Sequence, residues 1–148
     1  MAEAEKLSDL QERIKDHLAR YIATDGADGY LWKTELAGTV PTLLLTTTGR
    51  KSGRQLTLPL IFGRSGTDYV VVASKGGAPN HPAWYVNLQA NPEVQVQVKA
   101  EKFAARAHTA EGAERASLWP LMVGVFSPYA DYQTRTERQI PVVVLRRA

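Results

Sequence analysis

The chain has 148 residues, 44% of them hydrophobic, with 18 Lys and Arg against 15 Asp and Glu, a formal net charge of +3 and no cysteine. That length suits one domain able to bury roughly 70% of its unfolded surface, and the missing thiols exclude disulfides, thiolate metal sites, iron–sulfur clusters and a cysteine nucleophile. His17, His81 and His108 stand far apart, outside any metal-ligand spacing, so no metal site is expected.

No apolar run is long enough to span a bilayer, and the first 15 residues are too charged for a secretory signal. These features predict a soluble, cytoplasmic protein. Residues 1–30 carry a net −3, which leaves +6 for the remainder. Positive charge on the larger part suggests an anionic small ligand or nucleic acid.

In chain order, Leu7, Leu10, Ile14, Leu18, Tyr21 and Ile22 recur at helical spacing. Ser8 and Gln11 have the form of a capping box, so a helix is predicted over about 9–22, closed by the turn-rich residues 24–29. Its apolar stripe suits packing on the domain, or a lid or lipid-facing surface. Residues 30–38 are ambiguous, with helix one reading.

Residues 41–48 read as a buried strand, the Gly49-Arg-Lys-Ser-Gly53 run as a turn, and 55–62 as the returning strand, in which Pro59 marks an edge or a bulge. Residues 68–74 form a third strand. Gly76-Gly77 break the chain, Pro82 starts a short helix carrying Trp84, Tyr85 and Leu88, and Asn91-Pro92 end it.

Val94, Val96 and Val98 alternate with polar residues as in a half-exposed strand, with a partner at about 102–108. Thr109 is placed to cap a helix through about Trp119 that Pro120 kinks or restarts. Ser127-Pro128 begin another short helix, whose Tyr129 and Tyr132 share a face, and the last strand is 139–145. Six strands with few inserted helices predict a mainly β, α+β fold: a six-stranded antiparallel barrel.

Two glycine-bearing turns stand out as anion sites. The 46–54 segment offers hydroxyls, free turn amides and three cations, Arg50, Lys51 and Arg54, and the 73–78 segment repeats the recipe with Lys75. Neither is a P-loop or a GxGxxG fingerprint. Aromatics near the second turn and at 126–132 could wall a planar group. The cations cluster in turns rather than along a strand face, which argues against a nucleic-acid surface.

Four segments in register, Leu43-Leu-Leu-Thr-Thr-Thr-Gly-Arg-Lys-Ser-Gly53, Val71-Val-Ala-Ser-Lys-Gly-Gly77, Pro82 to Val94 and Ser127-Pro-Tyr-Ala-Asp-Tyr132, together resemble the deazaflavin-dependent nitroreductase family of actinobacteria. The resemblance implies a split β-barrel, FMN-binding-like in fold, over residues 26–148 behind an N-terminal amphipathic helix and linker at 1–25. It also implies coenzyme F420, or FMN as in related barrels, and hydride transfer from the reduced deazaflavin to a quinone, enone or nitroaromatic.

By position, the resemblance assigns cofactor contacts to Thr48, Gly49, Arg50, Lys51, Ser52 and Arg54 for the phosphate and tail. Ala73, Ser74, Lys75, Gly76 and Gly77 fall to the ring and ribityl side, with Trp84 and Tyr85 near the ring system. Ser74, Tyr129 and Tyr132 fall on the acceptor side as catalytic candidates. Phe126 stands where nitroimidazole-reducing members tend to carry a tyrosine, and Ile61-Phe62 replace a more polar aromatic pair. The implied state is a monomer, with peripheral contact at the inner face of the cell membrane as an option for the N-terminal helix. A non-enzymatic module that only binds F420 or another anion is the other reading.

Overall fold

A computed structural model describes residues 2–34 and 36–148, with side chains from residue 9 onward. In chain order the elements are α1 (Ala2–Thr24), β1 (Leu31–Thr34), β2 (Gly38–Thr48), β3 (Gln55–Ile61), β4 (Gly63–Ser65) and β5 (Asp68–Val72). A single 3-10 turn (Lys75–Gly77) and α2 (Ala83–Ala90) follow. Then come β6 (Glu93–Val98), β7 (Glu101–Thr109), α3 (Gly112–Val125), α4 (Pro128–Thr134) and β8 (Val142–Arg147).

All strand pairings are antiparallel. β2 pairs with β6, β6 with β7, β7 with β8 and β8 with β5. One bent strand completes the circuit: β3 pairs with β2, Phe62 forms the bend with its N–H donated to the Pro41 carbonyl at 3.2 Å, and β4 pairs with β5. Counting β3 and β4 as that one strand, the ring has the six members the sequence predicts. β1 adds a further strand on β2, and among the described residues β3 has no hydrogen-bonded neighbour but β2, so Pro59 sits on an edge as expected.

Two apolar layers explain the long uninterrupted hydrophobic runs. Inside the ring, Leu43, Leu45, Val71, Val94, Val96, Val143 and Leu145 pack together, and Trp84, Tyr85 and Leu88 of α2 join them. Outside it, Val70, Val72, Val142 and Val144 meet Leu118 and Met122 of α3 and Tyr129 of α4. Alternate residues on β5 and β8 therefore face opposite layers, and both faces are apolar because both are covered.

Several boundaries differ from the sequence reading. α1 already runs from Ala2, so Ser8 and Gln11 fall within the helix rather than at its start. The 30–38 segment holds a strand and turn, since Leu31 to Thr34 pair with Pro41 to Gly38. Pro82 is the N-cap of α2 rather than its first residue. Thr109 stays in β7, Glu111 takes the N-cap of α3 without a side-chain cap bond, and the helix continues through Pro120 to Val125. Pro120 and Ala116, four residues before it, are both exposed, so the backbone bond lost at Pro120 falls on the solvent side of the helix.

The C-terminal turn of α1 is fastened to the barrel. Tyr21 is fully buried; its hydroxyl donates to the Thr42 carbonyl at 3.0 Å and accepts the Lys99 N–H at 2.9 Å. Burial raises its pKa above the ordinary tyrosine value, so it remains a donor at physiological pH. At Gly26 (φ +83°) an added Cβ would lie 2.6 Å from Lys99 Cα, which requires glycine there. Tyr21→Phe should lower unfolding free energy by about 1–3 kcal/mol, the cost of leaving buried backbone groups unpaired; denaturant titration of both proteins measures it.

Candidate functional site

The 49–54 turn is held open by its own backbone. The Gly49 N–H donates to the Arg54 carbonyl at 2.7 Å, the Gly53 N–H to the Gly49 carbonyl at 3.0 Å, and the Arg54 N–H to Ser52 Oγ at 3.1 Å. Buried Asn87 on α2 anchors it from below: its Oδ1 accepts the Arg50 N–H at 3.3 Å and Arg50 Nη1 at 3.1 Å, and its Nδ2 donates to Thr47 Oγ1 at 3.4 Å. The result is a groove of about 320 Å³ lined by Gly49, Arg50, Lys51, Ser52, Arg54 and Asn87, with the three cations exposed. Such a cationic hollow suits phosphate or carboxylate groups.

The second turn is a run of left-handed residues: Lys75 (φ +46°), Gly76 (φ +62°) and Gly77 (φ +82°). An added Cβ at Gly76 would meet nothing, whereas one at Gly77 would lie 2.6 Å from the Tyr132 carbonyl. Gly77 is thus the point at which α4 seats on the turn. Lys75 Nζ donates to Asn80 Oδ1 at 3.3 Å, while Ala73 is buried and joins β8 through its N–H to the Pro141 carbonyl at 3.0 Å.

Beside this turn lies a cavity of about 650 Å³. Ser74, Lys75 and Gly76 form one wall, Trp84 of α2 another, and Phe126, Tyr129 and Tyr132 a third. Phe126 and Tyr129 meet edge to face at 5.0 Å, and Tyr129 and Tyr132 at 6.4 Å. Burial, with Tyr132 beside it, pushes the Tyr129 phenol far above the ordinary tyrosine pKa, so it is a proton-bearing donor throughout the physiological range.

The structure therefore brings Ser74, Lys75, Gly76, Trp84, Tyr129 and Tyr132 together in one cavity, and Gly49, Arg50, Lys51, Ser52 and Arg54 in the neighbouring groove. Gly77 and Ala73 back the first set without lining it. Thr48 lines a different hollow, shared with Gln55, Gln95 and Arg106. Tyr85 turns into the barrel core, its hydroxyl 2.8 Å from Thr109 Oγ1 and its ring against His81, so it walls neither space. Successive residues of a helix point about 100° apart, so Trp84 on the cavity side turns Tyr85 away from it.

Sequence reasoning allowed α1 as a lid without naming its lining residues. Leu10, Arg13 and Ile14 of α1 line the cavity, together with Trp32, Lys33 and Leu36 of the β1 turn, which no sequence signal marked. Sequence reasoning also missed Asn87, whose signal was a polar residue inside an apolar helix, and Arg138, which no motif marked. Arg138 donates to the carbonyls of Ala73, Ser74 and Ala78. His17, also buried, bonds the Gly29 carbonyl at 2.7 Å and serves packing. No helix is long and apolar enough to cross a membrane among the described residues.

A profile described as F420H(2)-dependent quinone reductase matches residues 13–147. An F420H(2)-dependent quinone reductase of Mycobacterium tuberculosis is 41% identical over 137 residues, 90% of this chain and 89% of that protein. The solved structure of an F420-H2 dependent reductase, FDR-A, superposes with a TM-score of 0.67 at 46% identity, covering 72% of this chain and 94% of that one. A second solved structure, a domain-swapped dimer, covers 97% of this chain and 99% of its own at 38% identity and a TM-score of 0.69.

The contrast between adjacent glycines is measurable. Gly77→Ala should cost about 1–3 kcal/mol, the range for an imposed backbone strain, and the clash with the Tyr132 carbonyl places it at the upper end. Gly76→Ala, left-handed but in open space, should cost about 1 kcal/mol. Paired denaturant melts distinguish the two.

Proposed function

The chain belongs to the F420H(2)-dependent quinone reductase family, and from that premise we propose that it transfers a hydride from reduced coenzyme F420 to an electron-poor acceptor, a quinone first, with enones and nitroaromatics in the wider class. The observation that carries this reading is the pairing of a cationic groove with an aromatic cavity along one helix: Asn87 of α2 holds the groove's turn and Trp84, one turn away, walls the cavity.

The residues fit the group. F420 has a flat ring at one end and a phosphodiester and oligoglutamate tail at the other, and the two spaces differ in the same sense. Lys51 and Arg54, exposed in the groove, would meet the tail, with Arg50 pre-set by Asn87. Ser74 to Gly77 would lie along the ring and ribityl chain, where the absence of a side chain at Gly76 leaves room for close approach. When bound, F420 supplies a two-electron hydride donor at its C5 carbon.

The protein's own part is positioning and proton supply. Leu58, Ile61, Ile14 and Trp32 offer an apolar bed for the acceptor ring and any aliphatic substituent. Tyr129 Oη and Ser74 Oγ would donate to the acceptor oxygen on which negative charge develops. Phe126, against the Tyr129 ring, excludes water and has no proton to give.

Four measurements test the assignment. Saturable binding of F420 at low micromolar protein, followed by cofactor fluorescence, is the first requirement, and its absence sinks the reading. Lys51→Ala with Arg54→Ala should weaken that binding, flatten its dependence on salt and leave the melting curve unchanged. Tyr129→Phe and Ser74→Ala should each lower kcat/KM for a naphthoquinone by about 10²–10³-fold. Because the Tyr129 phenol is held above the ordinary value, the wild-type profile should show no alkaline loss from its ionisation below about pH 10. Unchanged kcat/KM in both variants removes these residues from the mechanism.

A further inference from the structure

Arg138 lies between α4 and β8, outside every segment that suggested a site. Its Nε donates to the Ala78 carbonyl at 2.8 Å, Nη2 to the Ser74 carbonyl at 2.8 Å and Nη1 to the Ala73 carbonyl at 3.2 Å. Nη1 also donates to His81 Nδ1 at 3.0 Å. The three carbonyls bracket the left-handed Lys75–Gly77 turn.

The backbone of Arg138 is fixed in turn from α4. Gln133 Nε2 donates to the Arg138 carbonyl at 2.8 Å, and Gln133 Oε1 accepts the Ile140 N–H at 2.9 Å. One guanidinium thus joins α4, which carries Tyr129 and Tyr132, to the turn that carries Ser74. A planar fork can reach three carbonyls at fixed angles, which a lysine ammonium cannot reproduce.

His81 sets a condition on this fork. A guanidinium only donates, so Nδ1 must present its lone pair, and the ring is neutral with its proton on Nε2. Burial, then the charge of Arg138, lower the His81 pKa from the ordinary value. The Tyr85 ring packs edge-on against the imidazole at 4.9 Å. Among the other charges nearby, Lys75 is bonded to Asn80 on the same loop, and Arg135, the C-cap of α4, whose Cβ approaches Gly77, is paired with Asp131 at 2.6 Å. Among the described residues no carboxylate contacts His81 to compensate a second positive charge.

We propose that Arg138 is the positioning residue of the site, a fork that fixes the Ser74–Gly77 turn against α4, and that it holds the turn only while His81 Nδ1 is free to accept. The inference rests on the reading that F420 lies along this turn. Its sign follows from the lowered pKa. The neutral, clamped form is complete above the ordinary histidine value of about 6.5 and is lost as pH falls through the lower folded value. A proton on Nδ1 faces a cation at hydrogen-bond distance and expels Nη1.

The test combines Arg138→Lys, Arg138→Ala and His81→Asn, the last supplying an acceptor that does not titrate. In wild type, F420 affinity by fluorescence should be constant above neutrality and weaken on acidification, whereas His81→Asn should bind as wild type does at neutral pH and lose the acid limb. Arg138→Lys should melt close to wild type yet show kcat reduced by up to about 10²-fold, the scale of a misplacement of about 1 Å. Independently of cofactor, NMR titration of the His81 imidazole should return towards the ordinary value in Arg138→Ala, or in Arg138→Lys if the alanine variant does not fold.

An acid limb retained unchanged in His81→Asn, or a His81 titration unaffected by the Arg138 replacement, overturns the clamp. Failure of wild type to bind F420 at any pH overturns the functional reading instead, and the NMR titration still decides whether Arg138 and His81 are coupled.

Discussion

The change of partner at Phe62 is the constraint on which the architecture depends. A sheet of short antiparallel strands has two open edges, and here one strand closes them by serving both: β3 completes β2, and after a single residue β4 completes β5. The bend turns the chain from the cavity wall, where Leu58 to Ile61 lie, to the face under α3, where Gly63 admits Met122 at close range. Without it, the inner and outer apolar layers would lack their common boundary. Phe62 itself is buried, with its ring between those of Tyr30 and Tyr69.

Around that ring, the site is assembled from parts distant in sequence, and most of its stiffness comes from groups that touch no ligand. Asn87 holds one turn and Arg138 the other, each by side-chain bonds to backbone. The strained, glycine-rich loops are thereby over-determined by the elements behind them, as sparsely populated backbone conformations require. Tyr21 does the same for the roof: it locks the end of α1 to β2 and to the β6–β7 hairpin, and α1 in turn brings Leu10, Arg13 and Ile14 over the cavity.

What could be read from the sequence divides along physical lines. Strands of the ring were legible because Val94, Val96 and Val98 alternate and because Gly49, Gly53, Gly76 and Gly77 punctuate the chain. The anion-suited turns were legible for the same reason, since cations and glycines sit together locally. β1 was not, because Leu31-Trp-Lys-Thr34 has no strand pattern until β2 is beside it. The helix through Pro120 contradicted a rule whose penalty falls where the orphaned carbonyl is buried, and Ala116, which carries that carbonyl, is exposed. Arg138 and Asn87 act through bonds to residues as far as 65 and 37 positions away, and the α1 and β1 side of the cavity meets residues from the far end of the chain, so no window along the sequence contains them. Tyr85 shows the reverse case: it is adjacent to Trp84 in sequence, yet only Trp84 lines the cavity, because neighbouring helical residues point in different directions.

Helix α2 is only eight residues long, yet it serves both spaces. Trp84 and Asn87 stand about one helical turn apart on it, the first in the wall of the aromatic cavity and the second bonded to Arg50 under the cationic groove. A tilt or shift of this one element therefore displaces a wall of the cavity and the anchor of the groove together, so the two spaces move as a pair.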